Sequence, residues 1–95
     1  METVKVEVFS DAVNSWIIRT PGRQYPALVI QGDTFSTFFA SAQELLERAR
    51  MSGDNELIEM ATELRDHLWA RLRHYENVLG ENGFQLPYNR VLWPK

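Results

Sequence analysis

The side chains able to do chemistry are few and scattered. Glu63, His67 and His74 stand at i, i+4 and i+11, which places all three along one flank of a helix. A metal ion needs three or four converging ligands, and an i, i+4 step supplies only a pair. No other segment offers a matching carboxylate or His cluster, and there is no Cys to add a thiolate. No nucleophile lies near either His in the sequence, so general acid–base or covalent chemistry has no set of partners to work with. These residues are read as a solvated boundary stripe, with no catalytic residue, metal site or cofactor expected.

Arg19, Arg23 and Tyr25 cluster around the turn Thr20-Pro21-Gly22-Arg23. Two guanidinium groups can hold a carboxylate through paired, charge-assisted hydrogen bonds. The loop is therefore a candidate site for a small anionic ligand, against the plainer expectation of a solvated turn with Tyr25 on the sheet edge. Gly32-Asp33 invites comparison with a phosphate loop, because amides at a helix N-terminus bind anions. However, no GxxxxGK[ST] pattern is present, and the Asp33 carboxylate would itself sit where a phosphate goes. Gly32 is read as allowing a positive φ, and Asp33 or Thr34 as capping the helix.

Binding offers a second kind of candidate. Ile58 and Trp69 lie roughly 100–120° from the main apolar stripe of their helix, ringed by Arg65, Arg73 and Glu76. An exposed Trp among arginines has the composition of an interface hot spot. The partner-binding candidates are Ile58, Trp69, Arg73, Tyr88 and Trp93; otherwise the C-terminal tail packs over Trp69 within the same chain. Arg71 points towards the core edge and needs a carboxylate or carbonyl partner, or must snorkel.

These residues need elements to hold them. Val4, Val6 and Val8 alternate with Lys5 and Glu7, the pattern of a half-buried strand over about residues 3–9. Residues 13–19 (VNSWIIR) and 27–31 (ALVIQ) read as two more strands, and the tight connections favour an antiparallel meander. Phe35, Phe38, Phe39, Ala42, Leu45, Leu46 and Ala49 fall within an arc of about 120° on a helix over residues 34–51. Ser52-Gly53-Asp54 supplies a stop, a turn and a new N-cap. A second helix follows over residues 55–79, with the stripe Leu57, Ala61, Leu64, Leu68, Leu72, Tyr75 and Leu79, ended by Gly80 and Gly83. So short a loop dictates an antiparallel helical hairpin. The tail over 84–95 carries Phe84, Leu86, Tyr88, Val91, Leu92 and Trp93, too much apolar surface to leave in water.

The expected fold is α+β, with order β-β-β-α-α. A three-stranded antiparallel meander is packed by the two-helix hairpin, with the tail across it, in a single domain over 1–95. The second sheet face carries Lys5, Glu7, Phe9, Ser15 and Ile17. It is mixed rather than polar, which makes a homodimer through faces, edges or tail a reasonable expectation.

Composition excludes several classes. The 95 residues carry a formal net charge of −3 with no basic face visible, against non-specific nucleic-acid binding. No apolar run approaches the roughly 20 residues of a membrane span. No signal peptide follows Met1, and the absence of Cys fits a reducing compartment, so a cytoplasmic location is expected.

Pro21-Gly22-Arg23, Tyr25-Pro26, Ile30-Gln31-Gly32-Asp33, His74-Tyr75-Glu76, Val78-Leu79 and Leu86-Pro87-Tyr88 form a recognisable set. On these elements the chain resembles, over nearly its whole length, an uncharacterised family of short bacterial proteins with the pattern PGR-x-[FY]-P, IQGD, HYE-x-VL and LPY. Gln31-Gly32-Asp33-Thr34 is also similar, over less than half the chain, to the β-β-β-α half of HicB-type antitoxins. That likeness implies partner binding. It does not extend to DNA binding, since a long second helix stands where further strand and a DNA-binding tail would be. The chain thus reads as a non-enzymatic protein–protein interaction module, antitoxin-like, immunity-like or regulatory, that binds a protein partner or itself. The alternative is a small anionic-ligand binder or minor enzyme using Arg19, Arg23 and Tyr25.

Overall fold

The structure is a computed structural model and describes residues 1–89. Three antiparallel strands precede two helices, an α+β arrangement. The chain divides into two compact units, Met1–Gln31 and Gly32–Lys95.

The first unit is a sheet of β1 (Glu7–Ser10), β2 (Ile17–Arg19) and β3 (Ala27–Leu28), in the order β1-β2-β3. Glu7 faces Arg19 and Val8 faces Ile18; Ser10 then faces Ile17, so the ladder is interrupted by a bulge at Phe9. Ile17 and Ile18 face Leu28 and Ala27 on the other side. The strands are shorter than the alternation suggests, for two reasons. Asn14 adopts the left-handed region at φ 59° and Ser15 N–H donates to the Ala12 carbonyl, so a turn consumes residues 13–15. The β1–β2 register would also set Pro21, which has no N–H, opposite Lys5. Pro21 instead opens a turn closed by Arg23 N–H to the Thr20 carbonyl. Gly22 at φ 79° supplies the positive φ that a type II turn requires.

Across β1 and β2 the Arg19 guanidinium grips Glu7 with two parallel bonds, Nε to Oε1 at 3.0 Å and Nη2 to Oε2 at 2.7 Å. These hydrogen bonds hold the Glu7 carboxyl below its ordinary 4.5; a little desolvation opposes them and the charge of Arg19 adds to them. A depressed carboxyl value stabilises the fold above the unfolded value and ceases to do so as pH falls through the folded one. The hydrogen-bonded Arg19 Nε–H resonance is therefore expected to persist above pH 4.5 and to be lost on acidification below it. Glu7→Gln should abolish that transition in an NMR titration; the same acid transition in the variant would assign it elsewhere.

The second unit is a helical hairpin of α1 (Gly32–Ser52) and α2 (Asn55–Glu81). Gly53 at φ 72° turns the chain, and the Asp54 side chain caps α2 by accepting from Leu57 N–H at 3.2 Å. α1 begins at Gly32, earlier than expected, which places Asp33 inside the first turn rather than at the cap. Its Oδ1 accepts from Thr34 N–H at 2.9 Å. Gly32 is not among the glycines with positive φ. It is buried, and a Cβ placed on it would meet Cζ, Cε2 and the hydroxyl of Tyr75. The glycine serves close approach of α2 to the start of α1, not backbone freedom. α2 also runs through Gly80 and ends at Glu81, two residues before Gly83, where φ is 76°.

The face that α2 buries differs from the expected stripe. Its buried residues are Ala61, Arg65, Trp69, Leu72 and Glu76, a rotation of about 60° on a helical wheel from the leucine-rich line. They meet Gly32, Ser36, Phe39, Ala42, Leu46 and Ala49 of α1. Near the loop the interface is small-sided, with Ala49, Ala61 and Leu46 packed together. Towards the open end it is aromatic: the Phe39 and Trp69 rings meet at a tilt of 41° with centroids 5.1 Å apart and cluster with Leu72. Ala61 and Leu72 belong to both lines; the rotation brings in Trp69, which meets Phe39, and Arg65 and Glu76, which find polar partners in Gln43 and Tyr88. Arg65 tolerates burial because its charge is answered by Asp66 Oδ1 at 2.7 Å and by Gln43 Oε1 on α1 at 3.0 Å.

Candidate functional site

Trp69 is the first correction to the partner-binding set. An exposed hot spot and packing beneath the returning tail were both open for it; it is only 7% exposed and belongs to the hairpin core. Ile58 is half-buried against Leu46, Ala49 and Ala61. Arg73 is exposed, with its guanidinium 5.8 Å from the Trp69 ring centroid. Tyr88 packs on the Phe39–Trp69–Leu72 cluster and donates its hydroxyl to Glu76 Oε2 at 2.8 Å. The chain after α2 thus returns across Trp69, which is the within-chain alternative. Trp93 lies outside the described residues. Arg71 is exposed and donates to the His67 carbonyl at 3.1 Å, a carbonyl partner of the kind anticipated.

Arg19 donates from Nη1 to the Gln24 carbonyl at 3.4 Å, between Arg23 and Tyr25, but its main partner is Glu7. Arg19 is bonded to Glu7, stands over the Phe9 ring at 5.5 Å, and has its affinity for the proton raised by that pairing. Arg23 and Tyr25 line a separate shallow concavity of about 380 Å³ with Thr20, Gly22, Gln24, Pro26 and Ala27. That lining contributes one cationic side chain, too little for a paired clamp on an anion. Tyr25 is 76% exposed rather than packed on the sheet edge. His67 Nε2 lies 3.8 Å from Glu63 Oε1, and among the described residues no group of three or more His, Cys, Asp or Glu could hold a metal ion.

The feature that sequence inspection missed is what the rotation of α2 leaves outside. Phe38 and Leu45 on α1, and Leu57 and Leu64 on α2, are 39–47% exposed. In each helix they fall on the same side of the packed stripe, and the antiparallel arrangement brings both flanks to one face of the hairpin. The opposite face is the one bridged by Arg65 and Gln43 and crossed by Tyr88. Next to the apolar flanks on the wheel come the Glu44–Arg48 ion pair of α1 and His67 and Arg71 of α2. An apolar centre with a charged rim is the anatomy of a protein interface. The signal was present in the sequence as an apolar arc too wide for a two-helix contact, but it read as core.

The model of a family of unknown function, DUF6959, matches residues 1–88. The chain belongs to that family. No curated protein and no solved structure matches it. Membership in DUF6959 therefore brings no activity with it, and the chemistry of the family has to be read from this fold. Among the described residues, no helix is long and apolar enough to cross a membrane.

Proposed function

We propose that the protein is a non-enzymatic interaction module that docks a protein partner on the apolar face of its helical hairpin. The observation that carries this is the row Phe38, Leu45, Leu57 and Leu64, left outside a hairpin whose own packing is satisfied by other residues. The partner's chemistry follows from the surface: an amphipathic element whose apolar side covers that row and whose charged flanks meet Glu44, Arg48 and Arg71. The junction Gln31-Gly32-Asp33-Thr34, where the likeness to HicB-type antitoxins lies, supports an antitoxin-like or regulatory form of the module.

The test is capture of the tagged full chain from its host's lysate, compared with the variant Leu45→Asp/Leu64→Asp. Both substitutions sit on exposed helical positions and should move the urea midpoint little. The expected result is a stoichiometric protein held by the wild type and absent from the variant. Equal retention by both chains overturns the site. So does a variant that loses stability, since the row would then belong to the protein's own core. The anionic-ligand alternative rests on Arg23 alone and predicts a thermal shift with a carboxylate or phosphate ligand that Arg23→Ala removes.

A further inference from the structure

Among the described residues, strand β1 lies at the edge of the sheet, with β2 on one side only. Its paired part starts at Glu7, yet the alternation of Val4, Val6 and Val8 with Lys5 and Glu7 begins earlier. Unpaired edge strands are templates for another strand, and proteins commonly blunt them with a lysine. Lys5 blunts this edge against most partners. Against one partner it does the opposite.

We propose that residues 4–8, the segment that leads into β1, pair antiparallel with the same segment of a second copy of this chain about a two-fold axis through Val6. That register sets Lys5 opposite Glu7 of the second copy and Glu7 opposite its Lys5, while Val4 faces Val8. Glu7 already carries Arg19 on its other side, so charges alternate across the joined sheet as Arg19, Glu7, Lys5 and then Lys5, Glu7, Arg19 in the neighbouring row. Opposite charges directly across a strand pair stabilise it and like charges oppose it. An axis through Lys5 would stack two lysines, and one through Glu7 two glutamates. An axis between residues would set valines against the charged face. The Val6 register also spans only residues 4–8 and stops short of the bulge at Phe9. The partner is thus selected by self-complementarity of charge and face, which an unrelated strand would not share.

This interface uses the sheet edge and not the hairpin face, so either proposal can fail while the other stands. It is smaller than a standard interface, and the dimer is expected to be weak and concentration-dependent. Sedimentation velocity across the micromolar to near-millimolar range should show reversible dimerisation of the full chain. Lys5→Glu should weaken it at least tenfold with an unchanged far-UV spectrum, since two attractive pairs become two repulsive ones. Register is read separately by oxidative cross-linking, which the absence of native Cys makes clean. Val6→Cys alone should cross-link, and Val4→Cys should do so when mixed with Val8→Cys but not alone. A chain monomeric throughout the range overturns the proposal, as does a dimer indifferent to Lys5→Glu. Cross-linking of Val4→Cys with itself as readily as Val6→Cys with itself overturns the register.

Discussion

Trp69→Ala is expected to cost the protein about 3–5 kcal/mol, the range for deleting a buried large aromatic side chain. Trp69 is 7% exposed, its ring lies tilted against Phe39 and clusters with Leu72, and Tyr88 of the returning chain packs against that cluster. Removing it opens a cavity that the fully buried Phe39 and Leu72 cannot collapse into without leaving their own contacts. A domain of this length is held by roughly 5–14 kcal/mol in all, so the loss would be a large share of the total. Urea unfolding followed by far-UV circular dichroism measures it, with Trp69→Phe as a milder companion expected to lose less. A change of under about 1 kcal/mol for Trp69→Ala would show that the residue is a surface anchor after all. The distinction matters for reading any binding assay, since a Trp69 variant that fails to bind would be failing to fold.

Gly32→Ala should destabilise by about 1–3 kcal/mol, the usual penalty of overpacking. In most helices alanine is the better residue by up to about 1 kcal/mol, so the expected sign is opposite to the intrinsic preference. The cause is steric: the added methyl would occupy the space of the Tyr75 ring. The Tyr75 side chain can swing away, but only by giving up its packing on the start of α1. A double-mutant cycle isolates the contact. With Tyr75→Ala present, Gly32→Ala should become neutral or stabilising, giving a coupling that denaturation midpoints resolve. Equal penalties in both backgrounds would assign the cost to the backbone rather than to the ring.

Element order and the hairpin turn were legible because their signals are local. Asp54 caps, Gly53 turns and the Phe35-to-Ala49 arc marks a helix whatever lies beside it. Which face of α2 would be buried was not legible. Composition favours the leucine line, whereas the partners that Phe39, Gln43 and Tyr88 offer to Trp69, Arg65 and Glu76 favour the rotated one, and only those distant residues decide between them. The same ambiguity hid the candidate site, because Leu57 and Leu64 stand on the stripe that looks most like a packed face, while Trp69 lies off it. Gly32 was misjudged for a related reason: a need for empty space above a glycine is a property of Tyr75, 43 positions along the chain. The strands were overdrawn because Asn14 turning left-handed and Pro21 lacking a donor outrank an alternating pattern. The pairing of Arg19 with Glu7, which commits one of the two arginines of the candidate anion loop, required the β1–β2 register and could not be had from spacing.

The hairpin turn and the C-terminal end of α2 are stabilised in different ways. At the loop, charge meets charge: Arg50 lies in the last turn of α1, and Asp54 and Glu56 at the start of α2, each placed to complement a helix dipole. At the far end of α2 the last turn contains no base. Its terminal carbonyls are met by neutral amides instead. Asn82 donates its N–H to the Val78 and Leu79 carbonyls and its Nδ2 to Val78, and Phe84 N–H donates to Leu79 at 2.9 Å. Dipole interactions with exposed ions fade as added salt screens them, while amide donors carry no net charge to be screened. High ionic strength therefore loosens the Ser52–Asp54 end and leaves the anchorage of the returning segment at Asn82 and Phe84 unchanged.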